Sequence, residues 1–158
     1  MHTNLDLGEK FGVNICLADA LGVRNPVLSE LGECMFTGEL ESETDIHDFA
    51  KLAKKNLDCK GLRYTDIKDR VKKVAVSSGA GGSNVFDAAL AGVDVLVTGE
   101  IKHHEIIAAN SLGIDIIDAG HFKSEDIVIL PLVNKLSKEF FEIIFTKSQS
   151  CDDMIKFI

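Results

Sequence analysis

A histidine and a glutamate four residues apart are the side chains of this sequence best placed to do chemistry. They follow an apolar run at residues 114–117, which is typical of a buried strand, and the short loop 118–120. If a helix starts after that loop, His121 and Glu125 share one helix face at the carboxyl end of a strand, where open α/β sheets place their ligands. A neutral nitrogen donor beside an anionic oxygen donor suits zinc, manganese or iron. The alternative is an ordinary surface pair in a first helical turn.

Two earlier loops have similar properties. The loop 77–83 (SSGAGGS) has glycines that let the backbone approach a ligand, and the helix after it would attract an anion. It lacks the Lys-Ser or Lys-Thr pair of a P-loop, and without a ligand it would be a tight strand-to-helix turn. The loop 98–105 (TGEIKHHE) contains His103 and His104. Adjacent helical residues point about 100° apart, so we expect one of the two histidines to face the cleft and the other to face solvent.

The segments around these loops alternate between strand and helix patterns. This alternation predicts an α/β fold with a mostly parallel sheet flanked by helices and right-handed crossovers. The three loops follow successive parallel strands, so they should open on one edge of the sheet. Pro131 would bend the last helix or mark a later start. The expected strands are 31–40, 61–66, 71–77, 93–98, 114–118 and 141–146, and the expected helices are 11–21, 46–57, 84–91, 103–112 and 125–140.

Composition narrows the class of protein. The chain has 158 residues, 46% of them hydrophobic, and no apolar run approaches the roughly 18 residues of a membrane-spanning helix. The net charge of -8, with no basic run longer than two lysines, argues against nonspecific binding to nucleic acid or to an anionic membrane. The four cysteines form no CxxC pair, and no secretory signal is visible. We therefore expect a cytoplasmic protein with reduced thiols.

The first residues contain a second pair of metal-binding types. His2 and Asp6 are four residues apart in the string HTNLD. They could be another ligand pair, or the frayed end of the chain.

Several motifs in this order resemble one family. They are HTNLD, GVNICLADALG, SSGAGGS, TGEIKHHE and IDAGHFKSE, and the resemblance extends over essentially the whole chain. The family is the Nif-three-like family, also known as GTP cyclohydrolase 1 type 2 or dinuclear metal-centre proteins. The resemblance implies two similar α/β domains and a ring-shaped homo-hexamer whose metal sites face an interior space.

The resemblance also implies a set of metal ligands. His2, Asp6, His121 and Glu125 match the family's ligands for two divalent metal ions, which we expect to be zinc, manganese or iron. The family's third ligand source, an HHP motif, is absent. His103-His104 is followed by Glu105 and does not take that role. The chain therefore resembles the C-terminal part of a family member, with residues 1–30 as the remnant of a first α/β domain and 31–158 as the main domain.

The expected function is metal-dependent hydrolysis of a nucleotide or similar anionic substrate. Paired metals can supply a nucleophile at neutral pH, while no residue is assigned as catalytic. The alternative is a noncatalytic interaction or regulatory scaffold with an incomplete metal site. Self-association is expected in either case. The candidate substrate-binding residues are Gly79, Gly81, Ser83, Lys102, His103 and His104.

Overall fold

One mixed sheet forms the centre of the protein in the computed structural model, which describes residues 4–158. The predicted ligand His2 lies outside these residues. The strand order is β1-β2-β4-β5-β6-β3, with β4, β5 and β6 parallel to one another and the other pairs antiparallel. In the described part of the chain the strands are β1 (Arg24–Leu28), β2 (Phe36–Asp45), β3 (Arg63–Tyr64), β4 (Arg70–Ser77), β5 (Val95–Thr98) and β6 (Asp115–Asp118).

Helices cover both faces of this sheet. Short 3-10 turns lie at Asn4–Leu7 and Gly81–Asn84. The α-helices of the described residues are α1 (Val13–Ala20), α2 (Ile46–Asn56), α3 (Val85–Leu90), α4 (His103–Leu112), α5 (His121–Asp126) and α6 (Ile129–Glu139). Among residues 4–158, no helix is both long enough and apolar enough to cross a bilayer.

The alternation of side chains along the central strands divides the core into two layers. Val74 and Val76 of β4 pack with the residues of α1 and α2. Ala75, between them in the chain, packs with residues of α3 and α4 on the other face. Successive side chains of a strand point to opposite faces, and a strand covered on both faces is apolar throughout. The apolar segments 74–76 of β4, 95–97 of β5 and 116–117 of β6 follow from this arrangement.

The prediction of an α/β fold with flanking helices is confirmed, with one correction to the sheet. It is mixed because β2 and β3, which flank the parallel strands, run antiparallel to them. The strand β1 was not predicted. It contains Pro26, and Asn25 has a positive φ of 50°, so neither residue resembles a strand former.

In the C-terminal third, the structure differs from two further secondary-structure predictions. The predicted helix 125–140 is two helices, α5 and α6, and α5 begins earlier than predicted. Pro131 is the third residue of α6, in the first turn, where a missing N–H costs little. The predicted strand 141–146 is wrong, because the segment is rich in apolar residues but pairs with no strand in residues 4–158. The division between residues 1–30 and 31–158 stays a prediction.

Candidate metal centre and adjoining cavity

The three loops predicted to share one edge of the sheet are joined by hydrogen bonds. They follow β4, β5 and β6, whose carboxyl ends lie side by side. The Gly99 amide donates to the Gly79 carbonyl oxygen at 3.0 Å, and the Gly79 amide donates to Ser124 Oγ at 3.0 Å. Ser124 is fully buried and donates in turn to the carbonyl oxygen of His121 at 2.9 Å. The loops therefore form one connected surface.

His121 and Glu125 face each other on α5, as their spacing predicts. Nε2 of His121 lies 3.2 Å from Oε1 of Glu125. Nδ1 of the same ring lies 2.6 Å from Oε1 of Glu100, on the neighbouring loop. A carboxylate bonded to one ring nitrogen sets the orientation of the imidazole and leaves the other nitrogen available to a ligand. All three side chains are partly exposed, so the pair is accessible from outside.

Gly79 lies directly beneath this pair. Its φ is +63°, and an added Cβ would clash with Oε1 of Glu125 and lie 3.2 Å from Nε2 of His121. Glycine therefore meets two requirements here, a left-handed backbone and space for the two side chains. At this point the loop 77–83 leaves space for the side chains of His121 and Glu125, and Gly79 itself has no side chain to offer to a substrate.

Asp6 lies on the same cavity as His121 and Glu125. The cavity has a volume of about 590 Å³ and is also lined by residues 151–155 of the C-terminal segment. Three of the four predicted metal ligands therefore adjoin one space, and the fourth, His2, lies outside the described residues. Within residues 4–158, no three His, Cys, Asp or Glu side chains approach closely enough to form a complete metal site. The donors that are present, one imidazole and two carboxylates, fit a divalent transition metal.

A second cavity of about 520 Å³ adjoins the first, and His121 lines both. Of the candidate substrate-binding residues, Ser83 and Lys102 line this second cavity. Gly81 instead packs against Ser77 and Thr98. We name the two spaces after the predicted residues that line them: the metal-side cavity holds predicted metal ligands, and the substrate-side cavity holds predicted substrate-binding residues. The latter is lined by Gly61, Leu62, Arg63, Ala80, Gly82, Ser83, Gly99, Glu100, Ile101, Lys102, Glu105, Asp118, Gly120, His121, Ile155 and Phe157.

His103 and His104 lie in the first turn of α4, exposed to solvent. Neither lines the metal-side or the substrate-side cavity. The prediction that one of them faces the cleft is therefore not met by this conformation. Glu105 has a structural contact instead: its Oε2 accepts a hydrogen bond from the Lys102 amide at 2.7 Å, which satisfies a free N–H at the helix start.

Arg63 and Glu100 are charged residues of this region that were not predicted as site residues. Arg63, on the short edge strand β3, binds the carboxylate of Asp118 through Nη2 and through Nε at 3.1 Å, and it lines the substrate-side cavity. Glu100 contacts His121 from the next loop. The acids of TGEIKHHE are visible in the sequence, but only the fold shows which of them reaches His121.

Within the part of the chain that the structure describes, the cysteines belong to no group of three metal-binding side chains. Cys16 and Cys59 are buried, and all four cysteines are free. Burial raises the pKa of the Cys59 thiol to about 11, so this thiol is protonated at neutral pH and is a weak nucleophile.

Comparison with known proteins places the chain in a family. The profile of Duf34/NIF3 (NGG1p interacting factor 3) matches residues 1–151. The GTP cyclohydrolase 1 type 2 homolog of Clostridium perfringens is 32% identical over 166 residues, which cover 99% of this chain and 63% of that protein. A homolog from Clostridium acetobutylicum is 30% identical over 144 residues, covering 85% of this chain and 53% of the relative. The chain thus spans less than two thirds of these relatives.

Solved structures show the same fold. The hypothetical protein SA1388 of Staphylococcus aureus superposes with a TM-score of 0.84 at 23% identity, covering all of this chain and 67% of the other. Reduced HcgD from Methanocaldococcus jannaschii superposes with a TM-score of 0.69 at 28% identity, covering 87% and 55%. The predicted family resemblance is confirmed by the profile match and by these relatives. The chain is a member of the Duf34/NIF3 family.

Proposed function

We propose that this chain binds a divalent metal ion through Asp6, His121 and Glu125, and that the bound metal promotes hydrolysis of a nucleotide or similar anionic substrate. The observation that carries the proposal is the His121–Glu125 pair, with Nε2 and Oε1 3.2 Å apart. Family resemblance adds His2 as a further ligand and a second metal ion. The names of the relatives, GTP cyclohydrolase 1 type 2 homologs, make GTP the first substrate to test.

The residues around the pair prepare it for a metal ion. The hydrogen bond between Nδ1 and Glu100, at 2.6 Å, holds the ring so that Nε2 is directed toward Glu125. Gly79 leaves the space beside both atoms free of side chains. A divalent metal held there would supply Lewis-acid activation of a substrate oxygen or of water.

The substrate-side cavity is large enough for a small ligand, and its wall is partly apolar and partly charged. Its volume of about 520 Å³ lies within the range of about 300–1,000 Å³ common for small-molecule sites. Leu62 and Ile101 bring apolar surface to its wall, whereas Lys102 and Arg63 are positive and three further lining residues are carboxylates. An anionic substrate would therefore need the positive charge of the proposed metal. Because His121 lines both cavities, a ligand in the substrate-side cavity would lie beside the proposed metal.

Metal content tests the first half of the proposal. We expect the purified chain, loaded with zinc, manganese or iron and desalted, to retain metal by mass spectrometry, and His121→Ala to lose it. His104→Ala is the matched control, because His104 is an exposed histidine that lines neither cavity, and this variant should retain metal like the unaltered chain. Full retention in His121→Ala would show that the ligand assignment is wrong.

Turnover tests the second half. Hydrolysis of GTP and other nucleotides, followed by chromatography, should require added metal and should be lost in Glu125→Gln. Metal binding without turnover would support the metal site and reject the hydrolase.

A noncatalytic scaffold is the second candidate. It is favoured by the lack of a complete metal-binding group in residues 4–158 and by the partial coverage of the relatives. Under this alternative the chain would hold little metal, and His121→Ala would leave binding to a protein partner unchanged. We infer a cytoplasmic location in either case, which the absence of disulfides among the described cysteines supports.

A further inference from the structure

One buried amide side chain connects the segment that contains Asp6 to the loop beneath His121 and Glu125. Asn14 lies in the first turn of α1 with 0% of its surface exposed, among the apolar residues Val13, Cys16 and Leu17. Burying an amide is costly unless its polar atoms are hydrogen-bonded. A polar side chain at such a position therefore needs partners, and those partners indicate its role.

All the partners of Asn14 are backbone groups of distant segments. Nδ2 donates to the carbonyl oxygen of Asp6 at 3.1 Å and to that of Cys34 at 3.0 Å. Oδ1 accepts from the amide of Ser78 at 2.8 Å. Both amide hydrogens and the carbonyl oxygen are thereby used. One side chain joins the turn Asn4–Leu7, the loop before β2, and the loop after β4.

One of these partners belongs to a proposed ligand, and a second is next to the glycine that contacts the other two. Asp6 is itself a proposed ligand, and its own backbone oxygen receives the hydrogen bond. Ser78 precedes Gly79, which lies beneath Glu125 and His121 and is bonded to Ser124 of the same helix. The path from Asp6 to the His121–Glu125 pair therefore runs through Asn14, Ser78 and Gly79.

We propose that Asn14 is a positioning residue that fixes Asp6 relative to His121 and Glu125. It acts through the backbone and does not touch the metal. Its effect on metal affinity rests on the proposed function, whereas its effect on the position of Asp6 does not. The amide is suited to this task because it both donates and accepts, which is needed to join two carbonyl oxygens and one N–H.

A second buried asparagine provides a matched control. Asn84 is 3% exposed and also makes three hydrogen bonds: it accepts from the Glu33 amide at 2.9 Å and donates to the Glu33 carbonyl oxygen at 2.7 Å and to Ser77 Oγ at 3.0 Å. None of these partners is a proposed ligand, and none belongs to the turn Asn4–Leu7. Asn14→Ala and Asn84→Ala therefore remove the same number of buried hydrogen bonds, but only the first releases Asp6.

Hydrogen exchange in the metal-free protein tests the positioning directly. The Gly8 amide, which donates to the Leu5 carbonyl oxygen at 3.2 Å, reports on the turn that contains Asp6. We expect this amide to exchange at least about tenfold faster in Asn14→Ala and to be nearly unchanged in Asn84→Ala, with both variants losing similar thermal stability. Equal exchange at Gly8 in the two variants would overturn the proposal, because the effect would then be general destabilisation. If Asn14→Ala does not fold, Asn14→Ser, which keeps a hydroxyl, takes its place.

Metal titration is the second readout. We expect the half-saturating metal concentration to rise at least about tenfold in Asn14→Ala and to stay within about twofold in Asn84→Ala. If the unaltered chain binds no metal, the proposed function fails while the exchange experiment still decides the role of Asn14. If metal affinity is unchanged in an Asn14→Ala protein whose Gly8 amide exchanges faster, the Asn14 contact does not govern metal binding, and the positioning role for the metal is rejected.

Discussion

Gly79 shows most directly how a single residue shapes the candidate site. Its positive φ and the clash that a Cβ would make with Glu125 are separate constraints. A left-handed conformation costs an ordinary residue about 1–2 kcal/mol. The clash adds a cost that falls on the proposed ligands themselves.

Gly79→Ala and Gly92→Ala separate these two effects. Gly92 has a similar φ of +72°, but a Cβ there would meet nothing within 4 Å. We expect both variants to lose about 1–2 kcal/mol in the free energy of unfolding, measured with urea. Only Gly79→Ala should also lose metal affinity, because the added methyl group displaces Glu125. Equal metal affinity in both variants would show that the space beneath the pair does not matter.

The site residues that could be predicted from the sequence are those that contact each other within a few positions along the chain. His121 and Glu125 face each other because four residues span about one helical turn, and the spacing alone contains that information. The contact of Glu100 with His121 depends on how two loops approach each other. The role of Asn14 depends on a partner 64 positions away, although its position in an otherwise apolar helix start is a signal that a sequence reader can use.

At the scale of elements, a single carboxylate connects the starts of two central strands. Asp94 precedes β5 and accepts hydrogen bonds from the Lys72 and Lys73 amides of β4, at 3.0 and 2.9 Å, and from Lys68 Nζ at 2.6 Å. Burial by itself would raise the pKa of this carboxyl, but the hydrogen bonds from Lys68, Lys73 and Lys72 together hold it below its ordinary value of 3.8.

This lowered pKa predicts an acid dependence of stability. The folded state favours the ionised form of Asp94. The contribution of this carboxylate to the free energy of unfolding is therefore fully present above pH 3.8 and is lost as the pH falls through the lower folded pKa. We expect the free energy of unfolding of the unaltered chain to fall more steeply than that of Asp94→Asn as the pH is lowered below about 4. Urea unfolding across this range measures the difference in the free energy of unfolding between the two proteins. The other carboxyls are common to both, so their effects cancel in this difference. Parallel curves would contradict the assignment.

Local patterns predicted most of the elements, and long-range pairing explains the exceptions. The helix at residues 103–112 was predicted with its observed bounds, because Gly113 ends it with a φ of +72°. The segment 141–146 has a strand pattern without a strand beside it. The edge strand β1 is the reverse case: its residues disfavour a strand, but it forms one because it pairs with β2.

At the scale of the whole molecule, apolar side chains remain exposed near the C-terminal end. Phe141 is 85% exposed and Ile144 is 91% exposed. Exposed apolar side chains mark a site of association where they form a contiguous patch. We expect the chain to self-associate, with a mass by light scattering above the 17.2 kDa of a single chain.

A paired substitution tests where that association occurs. Phe141→Ser with Ile144→Ser should lower the observed mass toward that of one chain. Leu90→Ser, which alters a side chain 75% exposed on α3, should leave the mass unchanged. A monodisperse monomer of the unaltered chain would contradict the expectation outright.

The two outer strands of the sheet determine how such association can take place. On one side, β1 contains Pro26, which has no N–H to offer, and its register with β2 is irregular between Arg24 and Val27. On the other side, β3 is two residues long and presents Arg63 and Tyr64. Proline, irregularity, charge and short length are the features by which natural sheets avoid adding foreign strands. Copies of this chain should therefore meet through side-chain surfaces and remain resistant to the edge-to-edge stacking that leads to fibrils.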